Sequence, residues 1–185
     1  MKSMESFLSE VPDHRRPQGR RYELVYVLLF TILAVMSGAF SFRKIQSFMT
    51  VHREYLNQLF GLKWKRAPAY TSIRDILHNL DAIEFEKVFR KHAQMLDNSE
   101  PQGPDARIAC DGKVLKGSFD RLEDRKAAHL VSAFSDESLI VLGHIEVSDK
   151  SNEIPSVQEL IKELGLRDRV FTMDAMHCQK KQSVT

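Results

Sequence analysis

A chain of 185 residues, 43% hydrophobic and 28% charged, has ordinary globular composition and room for one domain or two small ones, which excludes fibrous, collagen-like and disulfide-scaffold classes. Only two cysteines are present and no cleavable leader is evident, so a reduced, cytoplasmic setting is expected. The net charge of +2 hides an asymmetry: residues 1–70 carry 11 Lys/Arg against 5 Asp/Glu, and residues 101–185 carry 12 against 14, a basic front and an acidic rear that suit a polyanion handled by a metal-dependent region.

The first predicted helix covers 22–37 and is apolar nearly all round, as expected at the centre of an all-helical unit. Residues 24–42 carry no charge and reach membrane-spanning length. Thr31, Ser37, Gly38 and Ser41 favour instead a buried helix followed by a turn, so no membrane partner is expected. Ser41 is positioned to cap a second, amphipathic helix over 42–60, with Ile45, Phe48, Met49, Leu56, Leu59 and Phe60 at helical spacing and Gly61 as its stop. A basic connection, Lys63-Trp-Lys-Arg-Ala-Pro68, leads to a helix over 71–80, where Ser72 and Asp75 form a weak capping-box analogue. The next helix, 82–96, buries a stripe of Phe85, Val88, Phe89, His92 and Leu96.

Two prolines, a glycine and polar residues can continue neither helix nor strand, so 98–106 is read as a linker between a helical domain, 1–97, and a second domain, 107–185. Beyond it strands are expected at 107–110, 129–134 and 139–147, the last two as a hairpin, then a helix over 155–164 closed by Gly165, then a strand at 170–173. The expected fold is α+β overall, with the order β-β-β-α-β in the rear.

Two segments carry the chemistry, Ile108-Ala-Cys-Asp-Gly-Lys-Val-Leu-Lys-Gly-Ser118 and Val170-Phe-Thr-Met-Asp-Ala-Met-His-Cys-Gln-Lys180, each with an aspartate at the polar end of a strand-like run. A parallel crossover through the intervening helix can bring Asp111 and Asp174 side by side, where carboxylates repel unless a divalent cation neutralises them. Phosphodiester chemistry is the natural use of such a pair. Asp-Gly is equally an ordinary turn signal after a strand, and the residues alone leave both readings open.

The stretches Asp111-Gly-Lys113 with Ser118, Lys150-Ser-Asn-Glu-Ile154 and Asp174-Ala-Met-His-Cys-Gln179 resemble the core of DDE transposases of bacterial insertion sequences, in the ISAs-type subgroup that includes the H-repeat-associated proteins of Rhs elements. The front resembles that subgroup too, through Pro12-Asp-His-Arg-Arg16, the apolar helix from Leu24, Gly38, and Ser72 to Leu80 followed by Asp81. The resemblance implies a ribonuclease H-like catalytic domain, incomplete here, with Asp111 and Asp174 as the first two acidic residues and Mg²⁺ or Mn²⁺ in a two-ion site. It implies phosphate contacts for Lys113 and Lys116, and a place near the site for Glu153 and Gln179, although Glu153 also reads as a carboxylate favouring a helix start. Members of the subgroup are about twice as long, with a catalytic glutamate on a later helix, whereas no acidic residue follows Asp174 here. The chain is therefore expected to be inactive alone, with DNA, a second copy or a full-length transposase as partners.

A different class of reading makes the helical front a DNA-binding or regulatory module. Arg15, Arg16, Arg20, Arg21, Lys63, Lys65 and Arg66 would then contact phosphates, and Trp64 would either stack on bases or pack against its own linker. A third takes Asp174, His177, Cys178 and Cys110 as zinc ligands, at a spacing that matches no common zinc motif.

Overall fold

Leu24–Met36 (α2) contains no charged residue and buries Leu24, Val27, Leu28, Leu29, Phe30 and Ala34. A helix apolar on every side must be enclosed. In the computed structural model, which describes residues 4–99, 103, 106–114, 129–147 and 153–173, the short helix Met4–Leu8 (α1) and the helix Phe42–Val51 (α3) pack on it. Arg53–Phe60 (α4), Tyr70–His78 (α5) and Ala82–Asp97 (α6) follow. The described residues up to Val88 form one compact unit and those from Phe89 a second, a division that falls inside α6, ahead of the expected linker. Among the described residues no helix is long and apolar enough to cross a membrane.

The predicted helix over 42–60 is two helices, broken at His52. Neither Gly nor Pro marks the break; Thr50 donates its hydroxyl to the Gln46 carbonyl one turn back, a bond that bends helices. Ser41 caps α3 as expected, accepting from the Lys44 amide at 3.3 Å, and Gly61 ends α4 at φ +65°. Ser72 is not a cap: α5 begins at Tyr70, whose amide donates to the Gln46 side chain of α3 at 3.0 Å. That cap comes from 24 residues away, beyond the reach of a local motif. The cap of α6 is Asp81, which accepts from the amides of Ile83 and Glu84 at 3.0 Å each.

In the second unit Arg107–Val114 (β1), His129–Ser135 (β2) and Ile140–Val147 (β3) form antiparallel neighbours, and Glu153–Leu164 (α7) leads to Val170–Met173 (β4), which lies parallel to β1. The sheet order is β3-β2-β1-β4, a mixed sheet with β4 parallel to β1. Fold class, hairpin and element order follow the sequence expectation. Ile108, Cys110, Val131, Ala133 and Leu142 meet Val157, Leu160 and Leu164 of α7 in one core, joined by Ala93 of α6. Ala133 pairs with Gly143 and Phe134 with Val141, so Leu142 is an extra residue in β3 and is fully buried there.

Asp97, which the sequence places beside the polar linker, is buried. Its carboxylate accepts from the hydroxyls of Ser135 at 2.7 Å and Ser138 at 2.6 Å, and pairs with Arg169 at 3.0 Å. One side chain thus ties the end of α6 to the β2–β3 turn and to the entry of β4.

Candidate metal centre and nucleic-acid interface

Alternation along β1 turns Ile108 and Cys110 into the core and leaves Asp111 and Lys113 on the opposite, exposed side. The Asp111 side chain is 66% exposed, with Lys113 Nζ at 3.4 Å. Asp111 does not end its strand, as the Asp-Gly pair suggested. β1 runs on to Val114 because β2 supplies partners all the way, Asp111 opposite Ser132 and Val114 opposite His129. Toward β4 the described ladder runs in parallel from Arg107 with Val170 to Cys110 with Met173. Asp174, Lys116 and Gln179 lie outside the described residues, and Glu153 is the first residue of α7, the helix start that its sequence position suggested.

Cys110 is only 7% exposed, and burial pushes its thiol up to about 11. A buried, protonated thiol on the core side of β1 is a poor zinc ligand. No cluster of three or more potential metal-ligating side chains occurs among the described residues. On β1 the carboxylate available to a hard divalent cation is that of Asp111, which fits Mg²⁺ or Mn²⁺ as a single oxygen donor.

The helical unit contains an open cavity of about 1170 Å³ lined by Asp13, Arg15, Arg16, Arg21, Gln46, Thr50, Arg53, Arg66, Ser72, Asp75, Ile76, Asn79 and Leu80, among others. The sequence-predicted cations divide here into two groups. Arg15 grips Asp13 through Nε and Nη2, both at 2.8 Å, and also donates to the carbonyls of Gly19 and Tyr22. Arg20 donates to the carbonyls of Arg15 and Asp13. These two arginines brace the 13–22 loop: Arg15 commits four hydrogen bonds to it, and the more exposed Arg20 two. Arg16, Lys63, Lys65 and Arg66 are exposed and form no ion pair among the described residues, and Arg21 is exposed with its guanidinium 5.7 Å from the Tyr22 ring. Sequence reasoning missed Arg53, which anchors the 63–66 segment by donating to the Lys65 carbonyl at 2.8 Å.

Trp64 packs on its own protein. Its ring meets Tyr22 edge-on at 4.9 Å and Phe30 at 5.4 Å, and its amide and carbonyl both bond the Asn57 side chain. Base stacking is not its role in this arrangement.

The Arg15 guanidinium, through its hydrogen bonds to the carboxylate, holds the Asp13 carboxyl below its usual range against the opposing effect of partial burial. The brace therefore stabilises above pH 4 or so, and its contribution is lost as pH falls through the depressed folded value. In an Asp13→Asn variant the melting midpoint should lie below that of the parent at neutral pH by a constant amount. The gap should close in acid, and a gap independent of pH down to about 2 would show that the carboxylate is not the source.

The family model described as "DDE_Tnp_1-associated" matches residues 5–93, which contain the whole cavity and end before the sheet. "Putative transposase YncI" of Escherichia coli strain K12 is 34% identical over 180 residues, covering 97% of this chain and 71% of that protein. "H repeat-associated putative transposase YbfD" of the same strain is 33% identical, with 97% and 70% covered. The chain belongs to the H repeat-associated transposase family. It spans about half the length of other members: 45% of "Putative transposase YncI" of Escherichia coli O157:H7 and 47% of "H repeat-associated putative transposase YhhI" of strain K12. No solved structure matches it. Similarity to these transposases covers both the braced helical unit and the sheet that carries Asp111.

Proposed function

We propose that this chain acts in DNA transposition, its sheet unit contributing Asp111 and Asp174 to a divalent-metal site for phosphodiester cleavage and strand transfer, and its basic helical unit contributing a hold on the DNA. The observation that carries this reading is the parallel register that pairs Cys110 of β1 with Met173 of β4. In sequence, Asp111 and Asp174 each directly follow a member of that pair, which supports assigning both to one site. Family membership supplies the reaction class.

Carboxylate oxygens suit Mg²⁺ or Mn²⁺. When bound, such ions stabilise charge on the attacking and leaving oxygens of an in-line phosphoryl displacement. Lys113 keeps a positive charge beside Asp111, where it can meet a phosphate oxygen. Lys116 is proposed as a second phosphate contact, with Glu153 and Gln179 bordering the site. The cavity lies in the matched segment 5–93, apart from the aspartates, which supports a second reading: a non-catalytic, DNA-binding regulator of longer relatives.

Manganese binding tests the metal assignment directly. Titration of the 185-residue chain, followed by the spin-resonance signal of free Mn²⁺, should show a site that Asp111→Ala weakens by at least about tenfold, since even groups that merely support a ligand are worth 10–100-fold. Equal Mn²⁺ affinity in parent and variant would remove Asp111 from the site.

A further inference from the structure

The lining of the cavity in the helical unit includes two chemically different groups of side chains. One group is the cations of the 13–22 loop and the 63–66 segment, Arg16, Arg21 and Arg66. The other is a single face of α5 and its C-terminal turn, Ser72, Asp75, Ile76, Asn79 and Leu80, which recur at i, i+3, i+4, i+7 and i+8. Ile73, fully buried, sits at the edge of this face next to the half-buried Ile76 and Leu80, so the polar groups Ser72, Asp75 and Asn79 are the ones left exposed.

A helix face toward an aqueous cavity is usually a run of charged side chains. This one carries a hydroxyl, a carboxamide and two half-buried aliphatic groups, and its carboxylate, Asp75, is already paired with Arg74 at 2.9 Å. The Asn79 amide nitrogen donates to the Asp75 carbonyl at 2.7 Å, which fixes the carboxamide plane and leaves its oxygen to accept from a ligand. Hydroxyl and carboxamide groups can read base edges and aliphatic groups can meet a thymine methyl, while arginines supply the charge that neutralises phosphates.

We propose that the cavity is a sequence-reading site for double-stranded DNA, with Arg16, Arg21 and Arg66 on the phosphates of one strand and the Ser72–Asn79 face of α5 on the base edges of the adjacent major groove. This rests on the reading of the chain as a DNA-transposition protein and adds to it a specificity-determining face, separate from Asp111 and independent of metal. The Arg15–Asp13–Arg20 brace holds the loop of the arginine set in shape, and the Gln46 cap on the first turn of α5 holds the reading face.

The two groups make separable predictions for the 185-residue chain, measured in EDTA so that no metal site contributes. With a fluorescent 30-base-pair duplex between 50 and 200 mM salt, Arg16→Ala/Arg21→Ala/Arg66→Ala should reduce the slope of log affinity against log salt by about 2.7, three phosphate contacts at 0.9 each. The triple lysine variant should keep the parent slope, which separates lost charge from lost folding. In selection from a pool of duplexes with a randomised centre, Ser72→Ala/Asn79→Ala should keep the parent slope but enrich different sequences or none. An unchanged slope in the triple alanine variant overturns the phosphate role of the arginine set and leaves the transposase reading standing. Enrichment of the parent's sequences by Ser72→Ala/Asn79→Ala overturns the reading face, and failure of the parent chain to bind any duplex overturns both proposals together.

Discussion

Asp97→Ala should cost the second unit roughly 3–5 kcal/mol, the penalty for stranding one partner of a buried ion pair. The side chains of Asp97 and Arg169 are only 1% and 7% exposed, and the substitution leaves the guanidinium and two hydroxyls without the acceptor they share. Against a total stability of about 5–15 kcal/mol for a typical domain, such a loss unfolds a large share of the population at 37 °C. The chain's single tryptophan, Trp64, and its four tyrosines all belong to the helical unit, so the two units can be followed separately. Far-UV circular dichroism of Asp97→Ala should show a lowered transition, while the Trp64 fluorescence transition stays where it is in the parent. The combined variant Asp97→Leu/Arg169→Met should recover much of the loss, because apolar replacement of both members of a buried pair is often neutral or stabilising. If Asp97→Ala melts like the parent by both probes, the network is not what ties α6 to the sheet.

The behaviour of Asp97 also marks the limit of what the sequence discloses. Period-two alternation and a polar turn made the β2–β3 hairpin legible, and an uncharged run bounded by arginines made α2 legible as a core helix. Both signals are local. The partners of Asp97 lie 38, 41 and 72 residues away, and beside a stretch rich in Asn, Ser, Pro and Gly its carboxylate looks like part of a solvated linker. Gln46 as the cap of α5 is hidden in the same way, and so was the failure of Ser72 as a cap. Of the candidate sites, the basic front was legible as composition but not as geometry. The residues do not disclose that Arg15 and Arg20 brace a loop while Arg16, Arg21 and Arg66 line a cavity, because Arg15, Arg16, Arg20 and Arg21 sit in the same short basic cluster. Asp111 was found from its apolar run, but its place in the strand was misjudged, because Asp-Gly reads as a turn unless the length of the antiparallel partner is known.

Phe30→Ala should be the most damaging single change in the helical unit, at about 3–5 kcal/mol for an emptied aromatic site in a core. Phe30 is fully buried, and its ring centroid lies 5.4 Å from Trp64, 5.5 Å from Phe60 and 6.0 Å from Tyr26. Such tilted and edge-on pairs add roughly 0.5–1.5 kcal/mol each beyond area burial, so the loss is more than a transfer energy. The cluster also joins the core to the cavity, because Trp64 and Tyr22 are themselves in edge contact and Tyr22 lines the cavity beside Arg21 and Arg66. Removal of the Phe30 ring opens space under Trp64, which should shift its emission to longer wavelength and weaken DNA binding before global unfolding. Phe30→Leu, which keeps most of the volume, should cost less than half as much and preserve binding. If Phe30→Ala lowers the Trp64 transition but leaves DNA affinity at the parent value under native conditions, the aromatic cluster supports the fold alone, and the arginine set is held entirely by the Asp13 brace.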